Sequence, residues 1–136
     1  MAMESQPTPL PAGFLDLFRK RSFAYLATLM PSGTPQVTPV WVGFDGTHLL
    51  VNSARGRQKD RNMRERPQVA ICVADPDNPY RYLSVRGTVV EVTEEGASDH
   101  IDQLSEHYTG RASYAGPASD TRVTYKIRPE RTTTMG

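Results

Sequence analysis

The sequence predicts a mainly β fold, an antiparallel barrel of five or six strands with two or three short helices. Three observations predict it. Apolar or alternating runs of strand length recur along the chain. Hairpin-type turn signals lie between several of them. Strands and helices never alternate in the rhythm of a parallel sheet. At 136 residues the chain has the size of one domain, and no internal repeat or linker marks a second.

The elements follow in order. The opening "MAMESQPTPLPAGF" is rich in proline and polar residues, so residues 1–12 read as a flexible arm ahead of a domain over 13–136. In "GFLDLFRKR", Phe14, Leu17 and Phe18 are spaced for a short amphipathic helix. "FAYLATLM" (Phe23–Met30) is strand-like, and "PSG" after it is a turn. "TPQVTPVWVGF" is extended, but Pro35 and Pro39 each lack an N–H and place parts of it at an edge or bulge. Asp45-Gly46 is a hairpin signal leading into the returning strand "THLLVNS". A helix is predicted from near Arg57 to Arg66, stopped by Pro67. "QVAICVAD" reads as a buried strand, "PDNP" as a loop and "YRYLSVRGTVVEV" as a long alternating strand. "TEEGASDHIDQLSEHYTG" is a second helix closed by Gly110, and "TRVTYKIRPERTTTM" is the last strand.

Composition removes several function classes. The single cysteine, Cys72, forms no internal disulfide and sits in the apolar run "VAICVA", which predicts an inert buried thiol and a reducing, cytoplasmic setting. No apolar run reaches membrane-spanning length and no signal-peptide core is present. A formal net charge of +1 argues against a general nucleic-acid binder. His48, His100 and His107 have no partners at metal-ligand spacing, so no metal site is expected. No nucleophile elbow, P-loop or dinucleotide-binding glycine motif occurs, and no catalytic acid or base stands out.

Against this neutral background, "SARGRQKDRNMRER" gathers Arg55, Arg57, Lys59, Arg61, Arg64 and Arg66 in fourteen positions. A solvated surface with internal ion pairs to Asp60 and Glu65 is one explanation. Position supplies the other. A helix beginning near Arg57 directly after a strand aims its free N–H groups and positive dipole end at the strand's edge. Arg57 and Lys59 lie in that first turn, where a planar fork and a point charge together suit a phosphate.

Three blocks in order, "AYLATLMPSGTPQVTPVWV", "LLVNSARGRQKDRNMRERPQVAICV" and "NPYRYLSVRGTVVEV", resemble the split-barrel flavin- and deazaflavin-dependent oxidoreductases that include pyridoxamine 5′-phosphate oxidase. The likeness is nearest to the actinobacterial branch that uses the deazaflavin coenzyme F420, and it spans about residues 13–134. Its most specific part is Arg57, Lys59, Arg61 and Asn62 followed one strand later by "NPYRYLSVRG". The resemblance implies a six-stranded Greek-key split barrel that forms a homodimer with cofactor sites between protomers. It places Gln36, Thr38, Pro39 and Val40 beside the flavin-like ring and Asn52, Ser53 and Ala54 along the ribityl-like chain. Arg57 and Lys59 would take the phosphate, with Arg61 and Asn62 completing the motif, and Tyr80 of the other protomer would close the site. Tyr82 reads as barrel packing, and Trp41 either lines the pocket or belongs to the core or dimer contact.

The implied activity is hydride transfer from reduced F420 to an unsaturated small molecule. The surplus of Arg61, Arg64 and Arg66 suits that coenzyme's carboxylate-rich tail. Two alternatives stand beside it: an FMN-dependent oxidase or reductase of the same fold, and a non-catalytic module that binds a flavin or a tetrapyrrole.

Overall fold

The computed structural model describes residues 6–136. A 3₁₀ helix (Ala12–Phe18) leads into β1 (Ala24–Leu29), β2 (Pro35–Val40), β3 (Gly43–Phe44), β4 (Leu49–Ala54), α1 (Gln58–Glu65), β5 (Gln68–Asp75), β6 (Asn78–Thr93), α2 (Ala97–Thr109) and β7 (Arg122–Met135). All ladders are antiparallel and join one seven-stranded sheet in the order β2-β1-β5-β6-β7-β4-β3. Among the described residues, no helix is long and apolar enough to cross a membrane.

The expected six-stranded barrel is corrected in two respects. The single extended segment predicted over "TPQVTPVWVGF" divides into β2 and β3, which raises the strand count to seven. The break has a local cause. Val42 is buried, its N–H meets the Tyr108 hydroxyl at 3.2 Å, and Trp41 stacks on the Tyr108 ring at 5.5 Å, so this pair leaves the ladder to pack on α2. Nor is the sheet closed by hydrogen bonds, since its outermost strands, β2 and β3, do not pair with each other. Those two edges are nonetheless consecutive in the chain. Only Trp41 and Val42 separate them, a span of at most about 11 Å, so the sheet must curl until its edges nearly meet. Proline placement agrees with the edge assignment. Pro35 and Pro39 both lie on β2, which pairs only with β1.

Alternation along the strands builds the core. Leu26, Leu49, Val51, Ile71, Val73, Leu83, Val85, Val123, Tyr125 and Ile127 face inward and are essentially inaccessible. Each such aliphatic side chain contributes about 1.5–3 kcal/mol of burial free energy. β6 carries the architecture, pairing with β5 on one side and β7 on the other. At Gly87 it presses so close to β7 that a Cβ would collide with the Arg128 carbonyl, so no other residue fits there. α2 buries Ile101, Leu104 and Tyr108 in a second cluster with Trp41 and Tyr114. It ends at Gly110, with φ at 81° and its N–H on the Glu106 carbonyl.

Two further expectations meet the structure. In the region expected to be a loose arm, Thr8 donates from its N–H to the Pro129 carbonyl (2.8 Å) and from its hydroxyl to the Glu130 carbonyl (2.9 Å), and Leu10 is buried. Residues 1–5 of that arm lie outside the described residues. Cys72 is half-buried rather than interior, because β5 turns Val69, Ile71 and Val73 inward and leaves Cys72 on the opposite face. Even so, burial pushes its thiol pKa up.

Candidate functional site

The chain leaves β4 at Ala54 and turns sharply. Gly56 has φ at +91°, a conformation that disfavours any side chain. Its N–H donates to Asp60 Oδ2 at 2.9 Å. The Asp60 carboxylate is buried and also receives the Tyr125 hydroxyl and Arg64 Nε (2.9 Å). Burial alone would raise its pKa, but the Tyr125, Gly56 and Arg64 donors hold it below the usual carboxylate value. This anchor fixes the start of α1. Arg57 occupies the N-cap with extended backbone, and Lys59 follows in the first turn.

Both basic side chains line a cavity of about 240 Å³, whose wall also includes Pro39, Val40, Trp41, Asn52 and Arg122. Lys59 Nζ donates to Thr38 Oγ1 at 3.1 Å. Burial, with Arg57 and Arg122 nearby, pulls the Lys59 pKa below the ordinary lysine value. Arg122 Nε donates to Asn52 Oδ1 at 3.0 Å, while Asn52 Nδ2 donates to the Ala97 carbonyl at 2.9 Å and lies 3.1 Å from His100 Nδ1. Asn52 thus ties β4, β7 and the first turn of α2 together behind the cavity. Burial lowers the His100 pKa, which favours the neutral ring. Among the described residues, the one carboxylate paired with Arg57 or Arg122 is Asp120, 3.4 Å from Arg57 Nη2 and 3.8 Å from Arg122 Nη1. Three cations therefore face one carboxylate beside an apolar wall, an arrangement suited to an anionic ligand.

The candidate residues separate into groups. Pro39, Val40, Asn52, Arg57 and Lys59 share the cavity, and Thr38 touches it through Lys59. Gln36 lies farther out on β2, opposite Thr28. Ser53 and Ala54 are buried, with Ser53 pointing away from Asn52 by strand alternation. Asn62 is fully buried and pairs with the Thr28 hydroxyl at 3.0 Å, so its side chain braces α1 on β1. Arg61 folds back onto the Gly56 carbonyl and Gln58 Oε1. Arg64 is held by Asp60, and Arg66 by the Leu29 carbonyl (2.8 Å) and Glu65. These three arginines have acceptors within the chain and do not form a free row. Tyr80 is 78% exposed and takes no part in the cavity of its own chain.

Sequence reading missed Arg122, Tyr114, Ile101 and Leu104, all of which line the cavity. Arg122 opens β7 opposite Ala54, a register between strands 68 residues apart in the chain that no local pattern announces. Ile101 and Leu104 lie on the apolar stripe of α2, where helical spacing marks burial but not against what.

Residues 10–136 match the family model described as pyridoxamine 5′-phosphate oxidase. Among solved structures, an F420 reductase is 37% identical, with a TM-score of 0.81 over 91% of this chain and 98% of that one. A conserved hypothetical protein of Mycobacterium tuberculosis is 24% identical, with a TM-score of 0.73 over 99% and 89% of the two chains. HupZ of Group A Streptococcus, at 20% identity and a TM-score of 0.66 over 92% and 93%, shares the fold.

Proposed function

The chain belongs to the pyridoxamine 5′-phosphate oxidase family, and from that premise we propose an oxidoreductase that binds F420 and uses its reduced form to reduce an unsaturated small molecule. The observation that carries the reading is the pair Arg57 and Lys59, aimed from the start of α1 into one cavity. The 37% likeness to an F420 reductase supports the choice of cofactor.

When bound, the deazaflavin would supply the hydride. The protein's part is binding, orientation and exclusion of water. Arg57 and Lys59 would hold the phosphate, with Arg122 close by. Thr38 keeps Lys59 directed into the cavity. Pro39 and Val40 offer an edge-strand surface for the ring, while Trp41, Ile101 and Leu104 provide a dry wall opposite the charges.

The cavity is smaller than the roughly 300–1,000 Å³ typical of a site that encloses a whole cofactor-sized ligand, which supports completion by a second protomer. The outer sheet face suits such a contact. It presents Tyr25 and Val37 exposed, with Ala27 opposite Val37 and Cys72 opposite Tyr25 in the register, and Tyr80 is exposed on β6. In this reading residues 13–136 form the cofactor-binding unit and Tyr80 serves the neighbouring copy's site.

FMN remains a second reading for a specific reason. Arg61, Arg64 and Arg66 are engaged within the chain, so the cations left to a ligand cluster around one cavity, which accommodates a single phosphate. Titrating the apoprotein with F420 and with FMN separates the two, while light scattering follows the mass. Tighter F420 binding by a dimer is expected. Tighter FMN binding overturns the cofactor assignment, and a monomer mass at micromolar concentration overturns the shared site.

A further inference from the structure

Arg122 is a buried charge whose donors are only partly satisfied. It is 9% exposed, and its Nη1 is buried without a hydrogen-bond partner. Its Nε is fixed on Asn52, and its guanidinium lies 4.9 Å over the Tyr114 ring, so the group is held in place from two sides. It lines the same cavity as Arg57 and Lys59. Burying an arginine nitrogen without an acceptor is costly, and adjacent like charges add to the cost.

Asp120 relieves this only in part. At 3.4 Å from Arg57 and 3.8 Å from Arg122, it is farther from both than the roughly 2.7–2.9 Å of a strong charge-assisted contact. It sits on the segment between α2 and β7, where Asp120 N–H donates to the Pro117 carbonyl. Tyr114 on the same segment lines the cavity, its N–H held by Asp102 Oδ1 at 2.8 Å.

We propose that Arg122 is a third anion-binding residue of the cavity, and that Asp120 is an internal counter-ion whose place a ligand phosphate takes. The proposal deepens the cofactor reading and rests on the same cavity. It assigns two residues to that cavity, one attracting and one competing. The class of ligand is a phosphate ester, with either one dianionic group or a second negative group close by, because a single monoanion leaves positive charge uncompensated.

The test uses inorganic phosphate as the probe, so that it does not depend on which cofactor binds. Phosphate is titrated by calorimetry and by melting temperature at low ionic strength, with chloride as the control, into the full chain and its Arg122→Gln, Arg122→Lys and Asp120→Asn variants. Wild-type protein should be stabilised by phosphate. Asp120→Asn should bind it about three- to tenfold more tightly. Arg122→Gln should bind about tenfold more weakly, with Arg122→Lys between. If Arg122→Gln does not fold, Arg122→Lys and Asp120→Asn carry the same opposite signs. Wild-type affinity in both arginine variants, or weaker binding by Asp120→Asn, overturns the proposal, as does a wild type that phosphate does not stabilise. Phosphate binding that follows these signs, with neither F420 nor FMN bound, sinks the cofactor reading and leaves this one standing. Cofactor binding indifferent to all three substitutions does the reverse.

Discussion

Two clusters of charge in this molecule are built on opposite principles. Around Asp75, at the end of β5, every group has its partner. Arg81 donates to Asp16, to Asp75 and to the Gly13 carbonyl at 2.8–3.0 Å, and Lys20 reaches Asp75 and Asp77 at 3.0 Å. Around the cavity, Arg57 and Arg122 share Asp120 at longer distances, Lys59 rests on the Thr38 hydroxyl, and Arg122 Nη1 has no hydrogen bond. The first cluster ties the 3₁₀ helix to the β5–β6 turn. The second gains little stability from its own contacts, and its repulsion is relieved only by something that binds. Charge density alone does not mark a site; charge left uncompensated in a concave place does.

The largest effect expected from this contrast is at Lys59. Replacing it with alanine removes one charge-assisted contact worth about 1.5–3 kcal/mol and should weaken binding of the phosphate-bearing cofactor about ten- to a hundredfold. Its melting temperature should hold or rise, because a half-buried cation repelled by two neighbours is gone. Binding titration and thermal unfolding on the same sample check both halves, and a folded variant with wild-type affinity breaks the contrast.

Arg81→Leu should give the mirror image. Asp16 and Asp75 lose a shared donor, so the melting temperature should fall while cofactor affinity stays within about twofold. Weakened binding in the folded variant would show that the two regions are coupled.

Acid sharpens the contrast further. The Asp77 N–H, Arg81 and Lys20 lower the Asp75 pKa to about 2. Its folded value lies below the unfolded value of about 3.9, so its stabilisation is present above about pH 4 and is lost as pH falls toward 2. Denaturant melts at steps between pH 6 and pH 2 should show this acid limb in the wild type and a shallower one in Arg81→Leu. An identical limb in both would remove Arg81 from the account.

The smallest effect is expected at Arg66, whose guanidinium is held by the Leu29 carbonyl. Arg66→Ala should change cofactor affinity by less than about twofold at moderate salt. A tenfold loss would return the outer arginines to the binding surface.

These expectations show what the sequence made legible. α1 was readable because Pro67 ends it and its basic residues fall after a strand, and α2 because Gly110 closes an apolar stripe. β5 matched its predicted span because its apolar run is bounded on both sides. The division of β2 from β3 was not readable, because it depends on Tyr108, 66 residues beyond Val42. The same holds for the cavity. Arg57 and Lys59 stand in a local motif, whereas Arg122 reaches them only through the pairing of β4 with β7. The internal partners of the surplus arginines were hidden for the complementary reason. Sequence shows a charge but not the carbonyl or carboxylate that already holds it.

The two strand edges joined through Trp41 and Val42 bear on self-association. An open sheet usually exposes two edges that can recruit strands from other copies and seed aggregation. Here one edge lacks backbone donors at Pro35 and Pro39, and the other, β3, is only two residues long. The sheet can therefore stay open, leaving room for α2 and the cavity at its seam, without becoming a template for fibril growth. Restoring donors on β2, as in Pro35→Thr with Pro39→Val, should leave the core intact and make the protein more prone to ordered aggregation on heating.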